Sequence, residues 1–374
     1  MRIGVPTEIK PDEYRVGLVP GSVRELASRG HEVLVQSGAG AGIFADDATY
    51  ERAGATILPT AEAVFEAAEM IVKVKEPQPV EYALLKPHQI LFTYLHLAPD
   101  PQQARGLLRS GAAAIAYETV TDPAGGLPLL APMSEVAGRL SIEAAAIGLR
   151  RPTGGRGVLM GGVPGVRPAK VVVLGGGVVG THAARMAAGL GADVTVIDKS
   201  LPRLRQLDEL FQGRVATQAS TLHAVEEAVL EADVVIGAVL VAGASAPKLV
   251  RREMLASMKR GAVLVDVSID QGGCFETSRP TTHANPTFEV EGIIHYCVAN
   301  MPGAVPVTSA QALNNATLPF VLKLADKGLA AFDRDPHLAA GLNVRDGRIM
   351  HSAVAASLGF DRLGDGKAQP VAAA

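Results

Sequence analysis

Thirty-five basic residues stand against 38 acidic ones in a chain of 374, and the two signs are interspersed. That balance argues against a nucleic-acid face or a surface for acidic membranes, and the length suits two domains with sizeable cores. Two cysteines without CxxC spacing, Cys274 and Cys297, argue against a metal framework and for a reducing compartment. No run of 18 apolar residues occurs. The N-terminus, with Arg2, Glu8, Lys10 and Asp12, lacks the apolar core of a secretory signal, so a soluble, cytoplasmic protein is expected.

Short apolar strands alternate with helices over residues 1–128. Residues 2–5, 31–35, 70–74, 89–95 and 113–117 read as strands, 21–29 as a helix, and 60–68 as a helix capped by Thr60. Such alternation implies a parallel sheet covered on both faces. Beyond Pro128–Pro132, residues 134–149 carry Val136, Leu140, Ala144 and Ile147 at three- and four-residue spacing, the stripe of a long helix. Residues 151–167 form a Gly- and Pro-rich loop. Strands are then expected at 170–174, 191–198, 214–217, 232–240, 262–270 and 293–301, with helices at 178–190, 202–211 and 247–259. The run from Asn300 to Pro306 breaks the pattern, and Thr308 or Ser309 caps a helix to about Leu329. That helix has no strand of its own, so the chain is expected to return to its first domain. The expected division is 1–128 plus 305–374 around a second domain at 129–304, with 365–374 disordered.

The strongest local signal follows the strand at 170–174. Gly175, Gly177 and Gly180 fall at G-x-G-x-x-G spacing, a helix follows, and a second strand ends on Asp198. The glycines alone are a weak signal. Strand, turn, helix, strand and terminal acid together are the context of a dinucleotide-binding βαβ unit. Gly175 allows the tight turn, Gly177 lets a pyrophosphate approach the backbone, and Gly180 lets the helix close on the strand. The helix N-terminus supplies N–H groups and a positive dipole. The fold class expected is α/β, with two Rossmann-like domains of doubly wound parallel sheet and the active-site cleft between them.

Ligands of open α/β sheets bind beyond the carboxyl ends of strands. Lys75, His96 and Asp270 each close an apolar run and form a shortlist. Each also has a plain structural role open to it: Lys75 as a surface lysine, His96 as a hydrogen-bonded core histidine, Asp270 as the cap of the turn Gln271-Gly272-Gly273.

The residues Lys10-Pro-Asp-Glu13-Tyr-Arg15-Val16 with Pro20, Val74-Lys75-Glu76-Pro77, Tyr94-Leu-His96, Leu174 to Gly180 and Val267-Ser-Ile-Asp270-Gln-Gly-Gly273 resemble the alanine dehydrogenase family. Its wider kin are the NAD-binding domain of proton-translocating transhydrogenase and the saccharopine dehydrogenases. The resemblance runs from Met1 to about Leu363. It implies reversible conversion of L-alanine, NAD and water to pyruvate, ammonium and NADH by a homohexamer, without a metal or a membrane or nucleic-acid partner. Arg15 then matches the arginine that clamps the substrate carboxylate, and Lys75 the lysine on its carboxylate or carbonyl oxygen. His96 and Asp270 match the acid–base pair. Ser134, Val178 and Val179 match residues along the nicotinamide and pyrophosphate, and Asp198 the ribose contact. Ser220, Val239, Leu240, Arg279 and Val298 match further wall residues. With them are counted Arg203 and the runs Val267-Ser268-Ile269-Asp270 and Val298-Ala299-Asn300-Met301. Arg203 and Arg205 follow Asp198 closely enough to raise the question of a 2′-phosphate. Charge repulsion at Asp198 predicts NAD over NADP. Two alternatives stay open: a dehydrogenase for another small 2-amino or 2-oxo acid, and a transhydrogenase-like NAD(H)-binding module.

Overall fold

The structure, a computed structural model, describes residues 1–239 and 246–359. Leu240 and the tail 365–374 lie outside the described residues. The chain divides into two compact units, Met1–Pro132 with the stretch from Gly303 onward, and Met133–Pro302.

The first unit begins with β1 (Arg2–Val5), β2 (Glu32–Gln36), β3 (Ala55–Leu58), β4 (Met70–Val72), β5 (Ile90–Thr93) and β6 (Ala113–Ala116). The second contains β7 (Lys170–Leu174), β8 (Asp193–Asp198), β9 (Ala216–Ala219), β10 (Val234–Gly237), β11 (Val263–Asp266), β12 (Thr287–Val290) and β13 (Ile293–Tyr296). A long helix, Pro306–Lys327, then leads to β14 (Leu342–Arg345) and β15 (Arg348–Ile349), which join the first sheet. The strand orders are β15-β14-β6-β5-β4-β1-β2-β3 and β12-β13-β11-β10-β7-β8-β9.

Both sheets are dominated by parallel strands, as expected, with an antiparallel addition at one edge of each. β14 runs antiparallel to β6 and to β15, and β12 antiparallel to β13. Each hairpin closes through two residues in the left-handed region, Asp346-Gly347 (φ 50° and 72°) and Glu291-Gly292 (φ 53° and 82°). Positive φ at both central positions matches the twist of the flanking strands. Asp-Gly is a hairpin signal that the reading by strand–helix alternation passed over.

The central strands of the second sheet, β7, β10 and β11, are buried on both faces. On β7, Val171 and Val173 pack with Ile142, Ala183, Ala184 and Ala187, while Val172 and Leu174 face Val225, Val229 and Leu255. The period of two thus serves two cores. In the first unit Ile71, Leu91 and Ala114 of neighbouring strands meet Val64, Phe65 and Leu107 of the covering helices. Burying each such Val or Leu contributes about 1.5–3 kcal/mol.

Several elements differ from expectation. Helices at Asp47–Arg52, Pro101–Ser110 and Leu222–Glu231 carry ordinary caps from Asp46, Asp100 and Thr221, signals the reading did not use. The long C-terminal helix starts at Pro306, so Thr308 and Ser309 lie inside its first turn instead of capping it. The helix expected at 247–259 shrinks to Arg252–Leu255. Its N-terminal half is extended because Leu249 N and Glu276 N bond Cys274 O and Val250 O, at 2.8 and 2.9 Å. The strand expected to reach Asp270 stops at Asp266, where the chain turns sharply.

Candidate active site

In the first unit the carboxyl ends of β6, β5, β4 and β1 lie side by side, and the loops leaving them are tied by carboxylates. Glu8, just past β1, is buried. It accepts hydrogen bonds from Val74 N at 2.6 Å and Lys75 N at 3.3 Å, and receives Lys73 Nζ at 3.1 Å. Lys73 has no exposed surface and reaches Glu81 at 2.7 Å. Burial alone would pull its proton affinity down, but the two carboxylates outweigh that and hold it above the usual range. Lys75 itself is 8 % exposed, and its carbonyl accepts from Thr93 Oγ1 at 2.9 Å. Lys75 is therefore not an ordinary surface lysine.

Arg15 is also buried. The Glu13 carboxylate accepts from its Nε at 2.7 Å and Nη2 at 2.5 Å, and from its backbone N at 3.0 Å. Two parallel bonds of this kind fix the plane of the guanidinium. In the sequence Glu13 is only a neighbour of Arg15 within a short motif. Its service to Arg15 was not foreseen.

His96 lies past β5 at φ +47°, a left-handed conformation uncommon outside glycine, with its side chain 44 % exposed. It is not a core histidine. Glu118, after β6, accepts from Leu95 N at 3.2 Å and His96 N at 2.6 Å, and its Oε1 lies 4.0 Å from His96 Nδ1. The ring stacks on Tyr94 with centroids 5.8 Å apart and planes 7° off parallel. Tyr94 is fixed by its hydroxyl, which donates to Leu129 O at 2.6 Å. Burial would raise the nearby Glu76 carboxyl, but Lys75, Lys10 and His96 hold it below the ordinary range. Glu118 was missed, although the rule that found His96, an ionisable group past a strand end, applies to it equally.

In the second unit the glycine loop leaves β7 with Gly175 at φ +101°. Gly177 is the N-cap of the helix Val178–Gly189, whose first turn has no side-chain cap. A Cβ on Gly180 would sit 1.8 Å from the Gly175 carbonyl oxygen, so nothing larger than glycine fits. Asp198 ends β8, and its two carboxylate oxygens accept from Gly176 N at 2.7 Å and Ser200 N at 2.8 Å. Each carboxylate oxygen has a second lone pair for a ribose hydroxyl. Arg203 folds back over this loop, donating to Gly176 O at 2.6 Å and Thr181 Oγ1 at 2.7 Å. It braces the turn, and Arg205 is exposed. The uncapped helix N-terminus, open glycine turn and terminal acid fit a dinucleotide.

Most of the remaining candidate wall residues follow strand ends of the same sheet. Ser220, past β9, donates its N–H to Asp198 O at 3.0 Å. Val239, past β10, accepts from Ser268 Oγ at 2.7 Å. Val267 follows β11, Ile269 is buried, and Asp270 is exposed in the 3-10 turn Ile269–Gln271. Asp270 is thus in the turn, not before it. Past β13, Val298 and Met301 are core residues, Ala299 is half-buried, and Asn300 adopts φ +60°. Arg279 is exposed and lies 4.3 Å over the Phe288 ring. Ser134 and Val179 are half-buried and Val178 is exposed. Asp266, absent from the shortlist, is fully buried at the end of β11. No helix among the described residues is long and apolar enough to cross a membrane.

Residues 4–137 match the model described as alanine dehydrogenase/PNT, N-terminal domain, and 141–352 the model of its C-terminal domain. An alanine dehydrogenase of Halomonas elongata is 60 % identical over 96 % of this chain and 98 % of its own. A solved L-alanine dehydrogenase superposes with a TM-score of 0.93 at 55 % identity, covering 96 % of this chain and 99 % of that one. A transhydrogenase from Sinorhizobium meliloti superposes at 0.82 with 26 % identity, over 94 % of this chain and all of that one. The chain belongs to the alanine dehydrogenase/PNT family.

Proposed function

We infer that the protein is an NAD-dependent L-alanine dehydrogenase, converting L-alanine, NAD and water reversibly to pyruvate, ammonium and NADH. The observation that carries this reading is the near full-length likeness to the Halomonas elongata alanine dehydrogenase. The identity to the transhydrogenase is less than half as high, which favours the enzyme over a nucleotide-carrying module.

NAD, when bound, supplies the hydride chemistry. Gly175, Gly177, Gly180 and the N-terminus of the helix Val178–Gly189 would hold its pyrophosphate, and Asp198 its adenosine ribose. Arg15 and Lys75 bind the substrate carboxylate and carbonyl oxygen. The pair Glu13–Arg15 presents the guanidinium in a fixed plane, so little side-chain freedom is lost on binding. His96, stacked on Tyr94 and held at its backbone by Glu118, gives a proton to the carbinolamine oxygen and takes it back in the reverse direction. Asp270 steadies the positive charge of the iminium and orients water or ammonia. Its part in this step rests on the sequence resemblance. The assembly is a homohexamer and the compartment the cytoplasm, in keeping with the same resemblance and two unpaired cysteines.

The test is a spectrophotometric panel of L-amino acids with NAD, paired with 2-oxo acids, ammonium and NADH. Alanine and pyruvate should give the highest kcat/KM. Preference for another pair would reassign the substrate, and no turnover with any would leave the carrier reading. A light-scattering mass near one 38.7 kDa chain would overturn the hexamer.

A further inference from the structure

The loop after β11 is organised around one acid that touches no solvent. Asp266 has no exposed surface, and its carboxylate gathers donors from residues 2 to 12 positions further along. Oδ1 accepts from Ser268 N at 3.1 Å and lies 3.5 Å from Cys274 Sγ. Oδ2 accepts from Cys274 N at 2.9 Å, Phe275 N at 3.3 Å and the Ser278 hydroxyl. The surroundings are cut to admit this group. A Cβ on Gly273 would lie 2.5 Å from Oδ2, and one on Gly237 would lie 3.1 Å from Oδ1. Gly273 also stands at φ +73°, where side chains are strained.

Between the two anchored ends lies the turn that carries Asp270. Ser268 O accepts from Gln271 N at 2.9 Å and Gly273 N at 3.0 Å, so displacing Ser268 displaces the whole turn. Lys248 closes the far side by donating to the carbonyls of Gly272 and Gly273. A buried carboxylate with several N–H partners is rigid, because removing any partner leaves a polar group unsatisfied.

We propose that Asp266 is a positioning residue that fixes the turn Ser268–Gln271 and thereby the carboxylate of Asp270, on the reading of Asp270 given above. It does not meet the substrate. It acts by holding the backbone from which Asp270 projects.

The nearly isosteric Asp266→Asn puts an NH₂ where one oxygen stood. If the amide oxygen keeps the Oδ2 partners, the NH₂ faces Ser268 N–H donor to donor and pushes the turn. A displacement near 1 Å in a catalytic group lowers turnover by about a hundredfold, so kcat per active site, counted by NADH titration, should fall about ten- to a hundredfold. KM for pyruvate should hardly change, because Arg15 and Lys75 are not on this loop. The decisive measurement is the double variant. If Asp266 acts through Asp270, Asp266→Asn adds nothing to the loss already caused by Asp270→Asn. Ser278→Ala removes a single donor and should show the same split at a few-fold, serving as the test if Asp266→Asn does not fold. Wild-type kcat in Asp266→Asn, or in a folded Ser278→Ala, alongside an inactive Asp270→Asn overturns the proposal alone. So do losses that multiply in the double variant, or a loss wholly explained by fewer active sites. Full turnover in Asp270→Asn overturns the role of Asp270 and this inference with it.

Discussion

The two units prepare their strand ends by different means. In the first, charged side chains hold charged side chains: Glu13 holds Arg15, and Glu8 with Glu81 holds Lys73. In the second, the glycine turn and an uncapped helix leave backbone N–H groups to meet an anion, and buried charge is sparser. The difference follows from what each is proposed to bind. A small carboxylate substrate offers few atoms and needs strong, directed charges, whereas a long dinucleotide is met by many weaker backbone contacts. Charge-built sites are sensitive to removal of one partner, and backbone-built sites to added bulk or misplaced charge.

The largest expected effect tests whether both units contribute chemistry. His96→Ala in the first and Asp270→Asn in the second should each lower kcat by about 10²–10⁴-fold, the usual contribution of a general acid or base, with NADH binding retained. A loss under tenfold in either, measured at saturating substrates, removes that unit from the chemical step.

Next comes the buried triad. Lys73→Met leaves Glu8 and Glu81 facing each other without a cation. Breaking a buried pair in this way costs about 3–5 kcal/mol. Denaturant unfolding of the variant should show that loss, and the double change Lys73→Met with Glu81→Leu should recover part of it. A Lys73→Met protein as stable as the parent would mean that the charges of the first unit are not its scaffold.

Asp198 sharpens the other half of the comparison. A 2′-phosphate beside it brings like charges together, about 4 kcal/mol per unit pair at 4 Å and an effective dielectric of 20. Arg203 offers no relief, since it is engaged with Gly176 O and Thr181. NAD should therefore be preferred over NADP by about a hundredfold, some 2.7 kcal/mol, and Asp198→Ala should remove most of that gap. Equal kcat/KM for the two cofactors in the parent would contradict it.

The smallest effect concerns pH. His295, buried on β13, has its proton affinity lowered by burial, despite the bond to Ile293 O, and further by Arg279. A histidine depressed in the folded state contributes stability that is complete above about pH 6.5 and is lost as pH falls below it, because only the unfolded chain takes up the proton. Urea unfolding at pH 7.5 and 5.5 should show this decline, and His295→Gln should reduce it. An unchanged slope in the variant would assign the pH dependence elsewhere.

What was legible in the sequence follows the same division. The glycine turn is written within one βαβ stretch, so Gly175, Gly177, Gly180 and Asp198 could be proposed from their spacing together with the strands and helix around them. The hydrophobic period likewise located most strands to within a few residues. Two of the acids that support the first unit lie far along the chain from what they hold: Glu8 from Lys75, Glu118 from His96. No local pattern links such pairs, because the sheet makes them neighbours. Asp266 was overlooked for another reason. It sits inside the apolar run Leu264-Val-Asp-Val, where a period-based reading sees only strand. The extended stretch at 247–250 was misread as helix because its bonds to residues 274–276 come from the fold around that same acid.

The route of the chain also sets an order of events during synthesis. β6 ends at Ala116, but β14, its partner on the open side, begins only at Leu342. Asn314, whose side chain bonds Val19 N, Ser22 Oγ and Gly17 O, is also made late. At roughly 5–20 residues per second, some ten to fifty seconds separate the two strands. Throughout that interval the apolar edge of β6 has no partner from its own unit, while the second unit emerges whole. An unpaired edge is a template for wrong pairing. The nascent first unit is therefore the part of this protein most exposed to misassembly on the ribosome, and the short C-terminal hairpin is the piece that ends the risk.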